Sequence, residues 1–316
     1  MRIFHAAKEA GADAVKLQTY TADTMTIACS REPFLVRGTI WEGRNLHELY
    51  REAFTPWEWQ PKLLALARQL GMHCFSTPFD HTAVDFLEAA QFPAYKIASF
   101  ELVDLPLIER IARTGKPIIM STGMGTLAEI DEAVRTARGA GAVEIALLKC
   151  TSAYPSRPEE MNLRTIPHLS KAFQVPVGLS DHTLAMAVPV TAVSLGACII
   201  EKHLALSREV PGPDTLFSLV PDEFRQMVQA VRTAEKALGE VNYAITAGER
   251  ATSSFRRSLF VVEDVPAGQL LTKENVRSIR PAGGLPPKYL GQVLGCMAQV
   301  DIARGTPLAW NLITLK

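Results

Sequence analysis

From Ala14 onward, short apolar runs alternate with longer stretches in which apolar residues recur every three or four positions. Short runs bounded by turn signals predict buried strands, and the three-to-four period predicts amphipathic helices. The strands predicted are 14–18, 73–76, 94–97, 117–121, 145–150, 175–180 and 198–203. The helical pattern covers 56–70, 82–90, 105–114, 126–139, 184–195 and 221–238, the last opening on a proline at its first turn, where a missing N–H costs nothing. Regular alternation of this kind builds a parallel sheet covered by helices.

Seven strands are visible, whereas a closed βα barrel has eight. Positions 3–10 read as the end of a helix, with Gly11 as its stop signal. The sequence is therefore expected to open partway through the first βα unit, with one strand upstream. The fold class expected is α/β, a (β/α)8 TIM-type barrel lacking its first strand. It is preferred to an open doubly wound sheet because polar residues recur at nearly every strand end. A barrel with that gap leaves strand edges that closure would remove, so the chain is expected to be poorly stable and weakly active.

Two segments break the rhythm. Residues 19–55 are too many for a simple βα connection and carry Phe34, Trp41, Tyr50 and several charges; loops of that length are usually lids or binding loops. Residues 243–256 read as a polar linker. Beyond it, strand patterns at 259–262, 268–271 and 276–280 predict a small second domain. The division expected is a barrel domain over 1–242, the linker, and a small domain over 257–316.

Composition narrows the function. Lysine plus arginine equals aspartate plus glutamate, 33 each in 316 residues, so bulk attraction to nucleic acid or an anionic membrane has no basis. Any anion site must be built locally. The five cysteines, Cys29, Cys74, Cys150, Cys198 and Cys296, are scattered without CxxC spacing, which predicts buried free thiols rather than a zinc or redox centre. No apolar run has the length of a membrane span and no secretory signal opens the chain, so a soluble, cytoplasmic protein is expected.

The chemistry gathers at strand ends, which in a parallel barrel form one rim. Lys16 and Gln18 end the first strand, and Ser76 and Thr77 the second. Lys96 and Ser99 follow the third, Ser121 and Thr122 the fourth, Thr151 and Ser152 the fifth. Ser180, Asp181 and His182 follow the sixth, and Glu201, Lys202 and His203 the last. Singly, each lysine reads as a solvated flank and each serine as a helix cap. Together they make an anion site, ammonium groups giving charge and hydroxyls giving directed donors. His182 and His203 end neighbouring strands, and Asp214 follows in the next loop. That set suits a divalent metal, manganese, magnesium or zinc, and composition does not choose among them. His5, His47, His73, His81 and His168 lack such company and read as structural or solvated.

The segments VKLQTY from Val15, FSTPFD from Phe75, YKIASFE from Tyr95, MSTGM from Met120, GLSDHT from Gly178 and IEKHLAL from Ile200, with GPD from Gly212, resemble the successive strand-end motifs of the sialic acid synthase family. RSIRPAGGLPPK from Arg277 resembles the signature of its C-terminal antifreeze-like, or SAF, domain. WEGRNLHELYREAFTPWEW from Trp41 looks most like the family's pseudaminic acid synthase branch.

The resemblance implies a transferase that condenses phosphoenolpyruvate with an acetamido sugar. In it Lys16, Thr77, Lys96, Ser99, Ser121 and Ser180 hold phosphoenolpyruvate. His182 and His203 bind the metal, manganese or magnesium being expected, with Asp214 nearby through water. Gln18, Glu101, Tyr154 and Glu201 contact or orient the sugar, Lys16, Lys96, Glu101 and Glu201 being the catalytic set. Ser152 stands where some relatives have asparagine. Arg280 reaches the sugar site of a neighbouring subunit, which implies a domain-swapped homodimer. The family's first strand carries a glutamate beside the metal, and this sequence starts after it. The rival readings are N-acetylneuraminate or legionaminic acid synthase, a metal-dependent aldolase or hydrolase barrel, and a non-catalytic sugar-binding or assembly protein.

Overall fold

The computed structural model describes residues 1–210 and 212–314. Its contacts divide the chain into two compact units, Met1–Gly239 and Glu240–Lys316.

In the first unit seven strands form one parallel sheet in sequence order: β1 (Ala14–Thr19), β2 (His73–Pro78), β3 (Tyr95–Ile97), β4 (Ile118–Ser121), β5 (Ile145–Cys150), β6 (Val177–Ser180) and β7 (Ile200–Glu201). Each is followed by a helix: Gln60–Gln69, His81–Ala89, Leu105–Ala112, Leu127–Gly139, Thr165–Phe173, Ala187–Ser194 and Pro221–Leu238. Local chemistry sets several helix starts. Asp80 accepts from the backbone of Thr82 and Ala83, and Thr126 and Glu129 form a reciprocal capping box, each satisfying N–H groups the helix cannot. Pro221 lies in the first turn, as its sequence position predicts.

An eighth helix, Arg2–Glu9, precedes β1 and packs against Pro221–Leu238. Gly11, at φ +92°, permits the approach, since a Cβ there would lie 3.1 Å from Val228. The helical ring thus meets itself, while among the described residues β1 and β7 are each paired on one side only. The sheet nevertheless curls. Seven flat strands about 4.8 Å apart would separate β1 from β7 by about 29 Å, yet Lys16 of β1 and Glu201 of β7 are 3.1 Å apart. The architecture is that of a TIM-type barrel with seven strands.

Register decides which residues face inward. Gln18 is level with Thr77, Lys96 with Ile119, Cys150 with Ser180, and Ser180 with Glu201. Because side chains alternate, Lys16, Gln18, Thr77, Lys96, Ser121, Cys150, Ser180 and Glu201 share the inner face. Tyr95, Ile97, Met120, Leu147 and Leu179 point outward and are fully buried with Val84, Leu87, Ile108, Ile111, Ala133 and Ala137 of the helices. The main apolar core therefore lies between sheet and helices, while the inner face carries these polar groups together with Ile119, Ala146 and Leu148.

The second unit pairs β8 (Ser258–Val261) with β9 (Val276–Ile279), antiparallel, around a core that includes Leu259, Val261, Val265, Leu271, Val276, Leu308 and Ile313. The strand expected over 268–271 does not form; Leu270 makes one isolated bridge to Met297, because the positive φ of Gly268 turns the chain there. No helix among the described residues is long and apolar enough to cross a membrane.

Candidate active site

The inner face carries a cluster of opposite charges. Lys96 is 1% exposed and its Nζ donates to Ser121 Oγ at 2.6 Å. Glu201 Oε1 lies 3.1 Å from Lys16 Nζ and 3.6 Å from Lys96 Nζ, and accepts from Ser180 Oγ at 2.9 Å. Burial pushes Lys96 down to about 8 despite the attraction of Glu201. Burial alone would raise Glu201; the two ammonium groups overcome it and hold the carboxylate far below its ordinary range. Two cations share one anion, so the cluster retains a surplus positive charge for an anionic ligand.

Hydroxyls line the adjoining wall. Gly123 N donates to Ser99 Oγ at 3.1 Å, and a Cβ on Gly123 would fall 2.7 Å from that oxygen and 2.2 Å from Ser152 Oγ. Glycine is required by this close approach. Thr77 Oγ1 and Glu101 Oε2 are buried without a hydrogen-bond partner, a cost usually borne where a ligand completes the bonding. Burial pushes Glu101 up to about 7.

The two histidines follow β6 and β7, beside this wall. Their ring centroids are 5.3 Å apart. His182 Nδ1 is 3.0 Å from the Thr151 carbonyl, and His203 Nδ1 is 3.3 Å from Asp214 Oδ2. Both Nδ1 atoms being engaged, Nε2 of each ring is the atom left for a metal, the arrangement that oriented metal-binding imidazoles show. Their spacing suits two ligands of one ion at about 2.1 Å. Asp214 lies behind His203 as its orienting carboxylate. Among the described residues no group of three His, Cys, Asp or Glu that could hold a metal ion is found; the two imidazoles are the donors seen there.

Phe217, 1% exposed, packs edge-on against His203 at 4.9 Å and His182 at 6.0 Å. Tyr154 lies over His182 at 4.5 Å, and Trp41 from the long loop covers Tyr154 and Phe217 while its Nε1 donates to the Pro213 carbonyl at 3.0 Å.

Lys16, Lys96, Ser99, Ser121, Ser152, Tyr154, Ser180, His182, Glu201, His203 and Asp214 are thus brought together, with Gln18 and Thr77 level on the same face. Glu101 follows β3 at the same rim. Arg280 lies in the second unit, exposed, in a shallow pocket with Thr252, Phe255, Arg256 and Arg257. His47 pairs with Asp23 at 2.7 Å, outside the cluster. Sequence reasoning missed Cys150, read only as a structural thiol. Burial would raise it, but His182, Ser99 and Lys96 bring it down to about 7. Its position in β5, level with Ser180, was the available signal. Cys198, expected buried, is exposed.

A model of the NeuB family matches residues 3–243 and a SAF domain model residues 256–314. The chain belongs to the NeuB family. Among NeuB relatives it is 45% identical to pseudaminic acid synthase of Helicobacter pylori, over 96% of this chain and 90% of that protein. It is 42% identical to pseudaminic acid synthase of Campylobacter jejuni, over 98% and 90%. To N,N'-diacetyllegionaminic acid synthase of Legionella pneumophila it is 35% identical, over 98% and 89%. Crystal structures show the same NeuB architecture. The N-acetylneuraminic acid synthetase of Leptospira borgpetersenii has a TM-score of 0.70 at 27% identity, covering 79% of this chain and 83% of that one. A putative spore coat polysaccharide biosynthesis protein E of Chromobacterium violaceum has 0.71 at 28%, covering 99% and 94%.

Proposed function

We propose that this chain is a pseudaminic acid synthase, joining phosphoenolpyruvate, 2,4-diacetamido-2,4,6-trideoxy-altrose and water to give pseudaminic acid and phosphate. The carrying observation is the Lys16–Glu201–Lys96 cluster sharing one inner face with the His182–His203 pair, in a chain 42–45% identical to pseudaminic acid synthases.

Lys16, Lys96 and the hydroxyls of Thr77, Ser99, Ser121, Ser152 and Ser180 bind the phosphate and carboxylate of phosphoenolpyruvate, ammonium supplying charge and hydroxyl supplying direction. Gln18, Tyr154 and Glu201 orient the open-chain sugar beside it, converting a bimolecular encounter into a positioned one. His182 and His203, with Asp214 behind, would hold a divalent ion, manganese or magnesium, which would supply Lewis-acid chemistry at the aldehyde. The enol carbon forms the new C–C bond to the aldehyde carbon, whose oxygen takes up a proton. Glu101, which burial brings up to about 7, serves as the proton donor in this reading. Water adds to the phosphate-bearing carbon and loses a proton; the bond from that carbon to the phosphate oxygen then breaks, the new hydroxyl gives its proton to the departing phosphate, and the ketone remains. Glu201, an anion throughout, stabilises positive charge at that carbon.

The assembly consistent with this reading is a cytoplasmic, domain-swapped homodimer, with the barrel over 1–242, a linker over 243–256 and the SAF domain over 257–316, whose Arg280 completes the neighbour's sugar site. The higher identity to pseudaminic than to legionaminic acid synthases favours the diacetamido-altrose substrate. Incubation with phosphoenolpyruvate and that sugar should release phosphate and give a nine-carbon ulosonic acid by mass; equal or faster use of N-acetylmannosamine would overturn the substrate assignment.

A further inference from the structure

We propose that Asp181 and Lys202, on the outer side of the barrel wall, are a positioning pair that sets the separation of His182 and His203. The inference rests on the metal-binding role proposed for those histidines. Alternation along the two chain segments sends Ser180, His182, Glu201 and His203 inward, and Asp181 and Lys202 outward. The outward pair is almost wholly enclosed: the side chains of Lys202 and Asp181 are 2% and 0% exposed, and Nζ lies 2.9 Å from Oδ2. Lys202 Nζ also donates to the Thr183 carbonyl, Asp181 Oδ1 accepts from Thr183 N at 2.8 Å, and Asp181 N donates to the Glu201 carbonyl at 3.0 Å.

These contacts bind the residue before His203 to the residues on either side of His182. Such a tie has a local purpose, because β7 contains only Ile200 and Glu201 and, among the described residues, is paired in the sheet on the β6 side only. Beyond it the chain is held by the His203 carbonyl accepting from Leu219 N at 3.0 Å. Leu204 bridges Leu219 rather than β6, so past the Asp181 N–Glu201 carbonyl bond the side-chain cross-link is a direct tie between the backbone carrying His203 and the segment carrying His182. A buried ion pair contributes little net stability over apolar residues of similar size, but it can specify one register. Burial lowers Lys202 from its usual range, opposed by Asp181 and, more weakly, by Glu223 at the start of helix Pro221–Leu238.

The test is the double variant Asp181→Leu/Lys202→Met in the full chain, with Mn2+ alone titrated calorimetrically and thermal unfolding followed in parallel. The pair's removal should leave Tm within a few degrees yet weaken Mn2+ binding about 10- to 100-fold, the effect typical of groups that orient metal ligands. A crystal structure of the variant should show the imidazole centroids moved apart from 5.3 Å. A folded variant with unchanged Mn2+ affinity and unchanged ring spacing would overturn the proposal. If wild type takes up no Mn2+, the metal reading falls, and the ring spacing still decides the positioning role. Should the double variant not fold, Asp181→Asn, which keeps an acceptor for Thr183 N, should weaken Mn2+ binding about tenfold; undiminished affinity and spacing there would equally defeat it.

Discussion

The lysine side and the histidine side of the pocket are organised by different means. Lys16 and Lys96 are held by a group that itself faces the ligand, Glu201, so position and charge are set by the same contacts. His182 and His203 are held instead by groups at their Nδ1 atoms and ring edges: Asp214, the Thr151 carbonyl and the ring of Phe217. An anion site can thus be assembled from mutual attraction across the barrel, whereas ligand nitrogens must be left free and are aimed by their unused atoms.

This contrast can be broken most sharply at Lys96. Lys96→Met should lower kcat/KM for phosphoenolpyruvate about 10²- to 10³-fold, as loss of one preorganised electrostatic group does, while Mn2+ affinity measured by calorimetry stays within twofold. The wild-type enzyme carries a pH signature of the same residue. Burial places Lys96 near 8, below its usual 10.5, so its ammonium is lost in the folded protein as pH rises through about 8, and KM for phosphoenolpyruvate should climb there. The sign for stability is opposite to that of a favourable ion pair. A depressed lysine prefers neutrality when folded, so the penalty for charging it is present at low pH and fades as pH rises from about 8 toward 10.5. Lys96→Arg should remove the alkaline rise in KM.

Gly123→Ala gives a smaller effect on the same side. The added methyl would overlap Ser152 Oγ and Ser99 Oγ, and the shifted hydroxyls should raise KM for phosphoenolpyruvate about 10-fold or more, misplacement being costly in an oriented site. On the histidine side, Phe217→Leu should cost under about 1.5 kcal/mol in unfolding free energy. It should weaken Mn2+ binding about tenfold, without changing affinity for phosphoenolpyruvate, because it loosens the backing of both imidazoles.

The lysine side was the more legible in sequence. Lysines and hydroxyls at the ends of periodic apolar runs are visible one by one, and register then brings Lys96, Ser121, Ser180 and Glu201 to one face. The two histidines were visible for the same reason. Of their supports Asp214 was visible too, but Phe217 reads as one more core aromatic, and Trp41, although its loop read as a lid or binding loop, approaches Pro213 through a contact 172 positions away. Cys150 was hidden by its chemistry, since a buried thiol looks inert until His182, Ser99 and Lys96 are beside it. Beyond the barrel, Leu270 and Leu271 had strand-like composition, but Gly268 turned the chain before a ladder could form.

The most direct test of one pocket with two unlike sides is a crystal structure with Mn2+ and phosphoenolpyruvate, the metal located by anomalous scattering. A metal peak about 2.1 to 2.2 Å from Nε2 of both His182 and His203, with phosphoenolpyruvate anion oxygens within about 3 Å of Lys16 and Lys96 Nζ, is the result predicted. Mn2+ bound away from the two imidazoles, or phosphoenolpyruvate lodged away from the lysines, would contradict it.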